Sequence, residues 1–398
     1  SGDAITTGIR NVAVGSYALS TNVAGDQSVA VGHGALFTQN PSGNADMNNT
    51  AVGHDAGNQV TTGTQNTLIG ALAGDALTTG SLTCVGYLSG SALTTSVGNV
   101  LMGELSGTAL TTGAHNTAFG SQALSTDTLG SRSVAVGHDA LRVQNFTTAT
   151  DAYNTAVGYD AGVAVTTGES NNLIGGLAGD ALTTGSYNTA IGVTSLGADT
   201  KGSRAIAIGH GALLNQNFTT ATDNYNVAIG HNAGIAVTTG LENTLIGGLA
   251  GDALTDADYN VAVGTESLGT DTLGSKSVAV GVGALNAQNF TTATDTGNVA
   301  VGFHAGNDIT TGINNTLIGK DAGDSLTDAD FNVAVGTDAL QADTLGSKSI
   351  AIGHSALEAQ NFTTATDTYN VAIGDNTGKA ITTGVRNVMI GGLAGDGA

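Results

Sequence analysis

Four segments read QNFTTATD, at residues 144–151, 216–223, 288–295 and 360–367, and they gather the side chains on this chain best able to do chemistry. Each carries one aromatic ring: Phe146, Phe218, Phe290 or Phe362. On an exposed loop such a ring offers a flat apolar face to a sugar; the competing expectation is a ring folded back to anchor its own loop. The preceding Asn145, Asn217, Asn289 and Asn361 begin N-F-T sequences. These accept glycan in a eukaryotic secretory setting and otherwise reflect the abundance of Asn and Thr. Each segment closes on a carboxylate, Asp151, Asp223, Asp295 or Asp367. Carboxylates near backbone carbonyls can hold Ca²⁺. The calcium-binding nonapeptide GGxGxDxUx is missing, however, and an Asp at a turn commonly bonds its own backbone. No metal or other cofactor is therefore expected. A divergent relative, QNPSGNADMNN, occupies residues 39–49.

Other polar residues recur in phase. Asp75, Asp180, Asp252, Asp324 and Asp396 follow a glycine, while His33, His54, His138, His210, His231 and His354 follow another glycine directly and His304 lies one residue later. No two His have zinc spacing, and Val282 and Asp375 take equivalent places, so turn histidines are expected. Arg132, Arg204, Lys276 and Lys348 each lie five residues after an Asp (Asp127, Asp199, Asp271, Asp343), which predicts exposed ion pairs of small energy. Cys84 falls inside an apolar run and reads as a buried thiol. Every one of these residues belongs to a repeat, whereas an active site is a singular break in a repetitive scaffold. No enzyme is expected; a glycan hydrolase would need paired carboxylates in a groove.

What positions these residues is a tetrapeptide, VAVG or a close variant, that recurs 22 times. From Gly158 onward its glycines are spaced 17, 17, 17 and 21 residues, giving a higher period of 72; between Gly53 and Gly137 five short steps, one of 16, precede the next long one. Four residues before the glycine stands Asn in sixteen units and Ser in four, as in Asn116–Gly120, Asn154–Gly158 and Asn226–Gly230. A β-branched run bounded by Asn and Gly reads as a short strand between turns. Seventeen residues suit one coil of a β-solenoid, with Gly and Asn at positive-φ corners and successive coils stacked at ~4.8 Å. No charge occupies the four positions ending at the glycine in any unit, which predicts strands buried on both sides. The Val and Ile of the first and third strand positions are expected to fill the core. The Ala between them is expected to face another chain in a parallel homo-oligomer, a trimer. Leu or Met replaces that Ala once per four coils (Leu68, Leu101, Leu173, Leu245, Leu317, Met389).

Composition agrees. Of 398 residues 61 are Gly, 1 is Pro, 1 is Cys and none is Trp, with 10 basic against 32 acidic side chains and a net charge of −22. One Cys excludes an intrachain disulfide framework, and glycines without a three-residue period exclude collagen. The acidic surface argues against nucleic acid, and no apolar run is long enough for a membrane helix.

NTAVGYDAG…TTG and SRSVAVGHDAL resemble the SVAIG-type head repeats of trimeric autotransporter adhesins, and equally the TTGxxNTAIGxxAL repeats of bacteriophage and virus tail fibres. The resemblance spans residues 1–398 and implies a left-handed parallel β-roll, assembled as a homotrimer and displayed outside a cell or on a virion. The coils are longer than in adhesin heads, and no stalk, neck, anchor barrel or chaperone domain is recognised. The ends, SGDAITTG and AGDGA, are in phase with internal repeats, which predicts an uncapped segment of a longer fibre. Taken together, residues 1–398 read as a single all-β parallel solenoid of about 22 coils with a 21-residue coil every fourth. The expected role is a structural and adhesive fibre segment, extracellular, presenting its long coils to a host-cell receptor or glycan without nucleic acid or membrane insertion. The alternatives are a passive spacer shaft and an ice-binding Thr ladder.

Overall fold

Each coil closes because four of its residues adopt left-handed backbone conformations. In the coil that begins at Asn154 these are Gly158 (φ 144°), Asp160 (52°), Gly162 (58°) and Ser170 (57°). Gly158 is obligatory on two counts. Its φ lies where L-residues are strained, and a Cβ there would stand 2.4 Å from the Gly175 carbonyl oxygen of the next coil. The other corners hold Leu, Asp, Tyr or Arg as readily as Gly, at a cost of about 1 kcal/mol each that the stacked coils must offset.

The computed structural model describes residues 1–396 and is all-β, a parallel solenoid of about 22 turns. Two compact units are present, Ser1–Thr194 with Thr200–Gly202, and Ser195–Asp199 with the chain from Ser203 on. Each contributes eleven of the recurrent strands. Pairing is parallel and in register, so like residues stack. In the first unit Val134, Ala135 and Val136 face Thr155, Ala156 and Val157; in the second Val261, Ala262 and Val263 face Val278, Ala279 and Val280. The long coils add two-residue strands such as Gly130–Ser131 paired with Thr150–Asp151, and Gly346–Ser347 paired with Thr366–Asp367. The irregular stretch of the sequence has a structural counterpart: strands Thr79–Val85 and Thr95–Met102 are longer and slip register between Ser81 and Leu82. Leu82 stands where other coils carry the Asn.

The core is the reverse of the sequence expectation. The middle strand residue points inward: Ala30, Ala51, Leu68, Ala135, Leu173, Ala262 and Leu317 are fully buried. Val and Ile at the third position point outward, with Val52, Ile69, Ile174, Ile246, Ile318 and Ile352 between 36 and 40 % exposed. Nor are the strands buried on both sides within one chain. The physical reason is width. Turn residues such as Leu141, Leu196, Leu213, Leu268 and Leu340 already fill the interior, leaving room for only a small strand residue in the same coil.

Where the strand residue is large, the turns give way. Leu173 replaces Ala, and the turn position opposite is Gly162 in the coil below and Gly179 in its own. A Cβ on either glycine would lie 2.6 or 2.8 Å from the Leu173 methyls. Leu245 is flanked in the same way by Gly234 and Gly251, and Leu317 by Gly306 and Gly323. The fourfold alternation of Ala and Leu is thus a volume exchange inside the core.

Candidate functional site

The long coil is built around a buried polar network. Its strand starts at Ser133 rather than Asn, and Gln144 extends inward to replace the missing amide. Gln144 Nε2 donates to Asp127 Oδ2 (2.6 Å) and Ser133 Oγ (3.1 Å), while its Oε1 accepts from Asn154 Nδ2 (2.8 Å). Asp127 Oδ1 accepts from the backbone N–H of Gly130 and of Phe146, both at 3.1 Å. Gln288–Asp271–Ser277–Asn298 and Gln360–Asp343–Ser349–Asn370 repeat it. Burial pushes the Asp127 carboxyl above its ordinary value, against the hydrogen bonds from Gln144 and from the backbone of Phe146, Gly130 and Thr128.

These bonds fix the QNF turn. Phe146, Phe218, Phe290 and Phe362 are only 5–7 % exposed, so the expectation of exposed stacking platforms is corrected: each ring anchors its own loop. The cause is local, because the Phe N–H is pinned to a buried carboxylate and the ring must follow it inward. Asn145, Asn217, Asn289 and Asn361 are exposed. Asn145, Asn289 and Asn361 each accept from a Thr hydroxyl of the coil below, at 3.0–3.3 Å. The TTA that follows is solvent-exposed.

Asp151, Asp223, Asp295 and Asp367 do not gather into a cation site. Each is held by one basic side chain: Arg132 at 2.8 Å, Arg204 at 2.9 Å, Lys276 at 2.5 Å and Lys348 at 2.5 Å. This corrects both the calcium candidates and the expected pairing of those cations with Asp127, Asp199, Asp271 and Asp343, which are buried. The Lys348 ammonium holds Asp367 below the usual carboxylate range, and Asp151 in turn raises Arg132. Among the described residues, the side-chain groups close enough to share an ion lie elsewhere: His33/His54/Asp55, His138/Asp139/Asp160 and His304/Asp321/Asp324. The histidines form exposed stacks, His33 on His54 at 5.2 Å and His210 on His231 at 5.4 Å.

The Asn corners act through side chains rather than through their own backbone angles. Asn154 Nδ2 donates to Gly168 O (2.7 Å) and its Oδ1 accepts from Asn171 N (2.9 Å). Asn116 reaches Gly130 O and Ser133 N, and Asn226 reaches Gly240 O and Asn243 N, in the same way. The left-handed residue is the one before: His115, Tyr153, Tyr225. Gly120 and Gly230 repeat the geometry of Gly158, each at φ 146°. The first Thr of most TTG segments donates to the coil above, as in Thr166 to Thr183 O (3.1 Å) and Thr183 to Thr200 O (2.8 Å), so those hydroxyls are committed to the fold.

Sequence reasoning overlooked one row. The residue before the buried Asn points outward and is aromatic in Tyr153, Tyr187, Tyr225, Tyr259, Phe331 and Tyr369, each 48–55 % exposed. The signal was present as an aromatic repeatedly preceding Asn. Of the described residues, no helix is long and apolar enough to cross a membrane. No family model, curated protein or solved structure matches the chain.

Proposed function

We propose that this chain is a structural and adhesive fibre segment that associates with copies of itself as a homotrimer, displayed extracellularly from a virion or a bacterial surface. The observation that carries the reading is the outward strand face. It bears Val, Ile, Thr and other uncharged residues on every coil, roughly a third exposed, on a chain of net charge −22. An uncharged face repeated so regularly is the kind of surface that a second chain covers. Three copies packing these faces around a common axis would bury it and leave the long coils outside, facing a receptor or glycan.

Sedimentation velocity tests the association. The expected result is a trimer, and Ile246→Asp with Ile318→Asp should yield monomers; a stable wild-type monomer would sink the reading. A second reading, a passive spacer, draws on the burial of Phe146, Phe218, Phe290 and Phe362, which withdraws the long-coil aromatic from solvent. A wild-type trimer with no binding to host cells or glycans would favour it.

A further inference from the structure

At the exit of the long coil the chain alternates outward, inward, outward over Asp151, Ala152 and Tyr153, so carboxylate and ring share one side. Arg132, one coil below, bonds the carboxylate through Nε, and its guanidinium carbon lies 5.7 Å from the centre of the Tyr153 ring. The same trio recurs within the second unit. Arg204 meets Asp223 and lies 5.7 Å from the Tyr225 ring centre; Lys348 meets Asp367 and lies 5.4 Å from that of Tyr369, whose hydroxyl donates to Asp367 (3.2 Å). About half of each tyrosine is exposed, 53, 52 and 48 %. The fold does not require a ring on this left-handed corner, since Asn48, Gly297 and Asn314 hold the equivalent position elsewhere. The trio is not uniform along the chain: Lys276 and Asp295 keep the ion pair, but Gly297 replaces the ring.

We infer that Tyr153, Tyr225 and Tyr369, each with its neighbouring ion pair, are binding sites for an uncharged hexose polysaccharide. A pyranose presents an apolar face of C–H groups that stacks on an exposed phenol ring. Its vicinal hydroxyls need a donor and an acceptor side by side, which the paired guanidinium or ammonium and carboxylate supply without net charge. An anionic glycan is disfavoured because each cation is already neutralised and the whole chain repels anions. The inference deepens the adhesive reading of the long coils and relocates contact from the buried Phe to the exposed Tyr.

Native gel electrophoresis in gels containing galactomannan, mixed-linkage β-glucan, dextran or polygalacturonate tests it, with a polysaccharide-free gel as reference. Retardation is expected in at least one neutral gel. Y153N/Y225N/Y369N keeps charge and corner geometry and should weaken that retardation about 10-fold or more, while Y153F/Y225F/Y369F should retain it. Retardation in no neutral gel, or only in polygalacturonate, overturns the inference. So does an Asn triple variant that binds as well as wild type, or a Phe variant that loses binding as the Asn variant does. Sedimentation of the same variants separates this test from that of self-association. An unchanged mass with lost retardation supports the sugar site, whereas a changed mass in the Asn variant would show that the rings hold copies together instead.

Discussion

Gly162 and Leu173 share one volume: a Cβ on the glycine would lie 2.6 Å from Leu173 Cδ1. Neighbouring coils solve the same packing problem with the sizes exchanged, as in Ala135 beside the turn residue Leu141. Leu173→Ala should therefore open a cavity and cost about 3 kcal/mol. Gly162→Leu alone overpacks the core. The double variant restores the exchange seen at Ala135 and Leu141 and should recover most of the loss. Urea denaturation midpoints of the three variants decide it, and a double variant no better than its worse parent would refute the exchange.

The Asn ladder is the second stabilising device. Asn154 is fully buried and satisfies Gly168 O, Gln144 Oε1 and Asn171 N together. Asn154→Ala strands three polar groups in the interior and should lower stability by about 3 kcal/mol, read as a shift in denaturation midpoint. Asn154→Ser should be milder, because long coils already start at Ser133 or Ser277. Equal losses for the two variants would mean that a serine hydroxyl cannot stand in for the amide.

The solenoid, its coil length and its long-coil period were all legible, because the strand glycine can be nothing else: φ near 140° and a carbonyl at 2.4 Å leave one residue type. Which strand face turns inward was not. An uncharged face reads the same whether it meets the core or a neighbouring chain, and only the Leu residues on the turns, brought across the coil by tertiary folding, decide between them. The ion pairs were misassigned for a related reason. Asp127 is nearer to Arg132 in sequence, but Asp151 is nearer in space because one coil separates them, and Asp127 is drawn inward by Gln144 and Phe146. The aromatic before Asn went unread because its meaning depends on the corner turning it outward.

Cys84 lies within strand Thr79–Val85, in the irregular stretch, and is fully buried. Burial pushes its thiol up to about 12, against a hydrogen bond with Ser89. In the folded protein it should therefore resist iodoacetamide at about pH 8, where a free thiol near its ordinary value reacts. Labelling followed by intact mass makes Cys84 a reporter of this stretch opening. Labelling in step with global unfolding is expected, and fast labelling of native protein would show that the long slipped strands open on their own.

Acid should stabilise this protein over the upper carboxylate range. Burial raises Asp75, Asp127, Asp180, Asp252 and Asp324 above the ordinary 3.8. A carboxyl whose folded value is raised binds its proton more tightly when folded. Its contribution is complete below the unfolded value and is lost as pH rises through the folded one. Asp3, Glu358 and Asp367 shift the opposite way, but Asp3 and Asp367 lie on the exposed surface and weigh little. Relief of repulsion at net charge −22 acts in the same direction as the five. The melting temperature should accordingly rise as pH is lowered from neutrality toward the ordinary carboxyl value of 3.8. Asp127→Asn should fold, since Asn22 takes that place in the coil below the first long one and bonds Gly25 in the same turn, and it should flatten the slope by its own share. A melting temperature that falls steadily over this interval in wild type would contradict the sign.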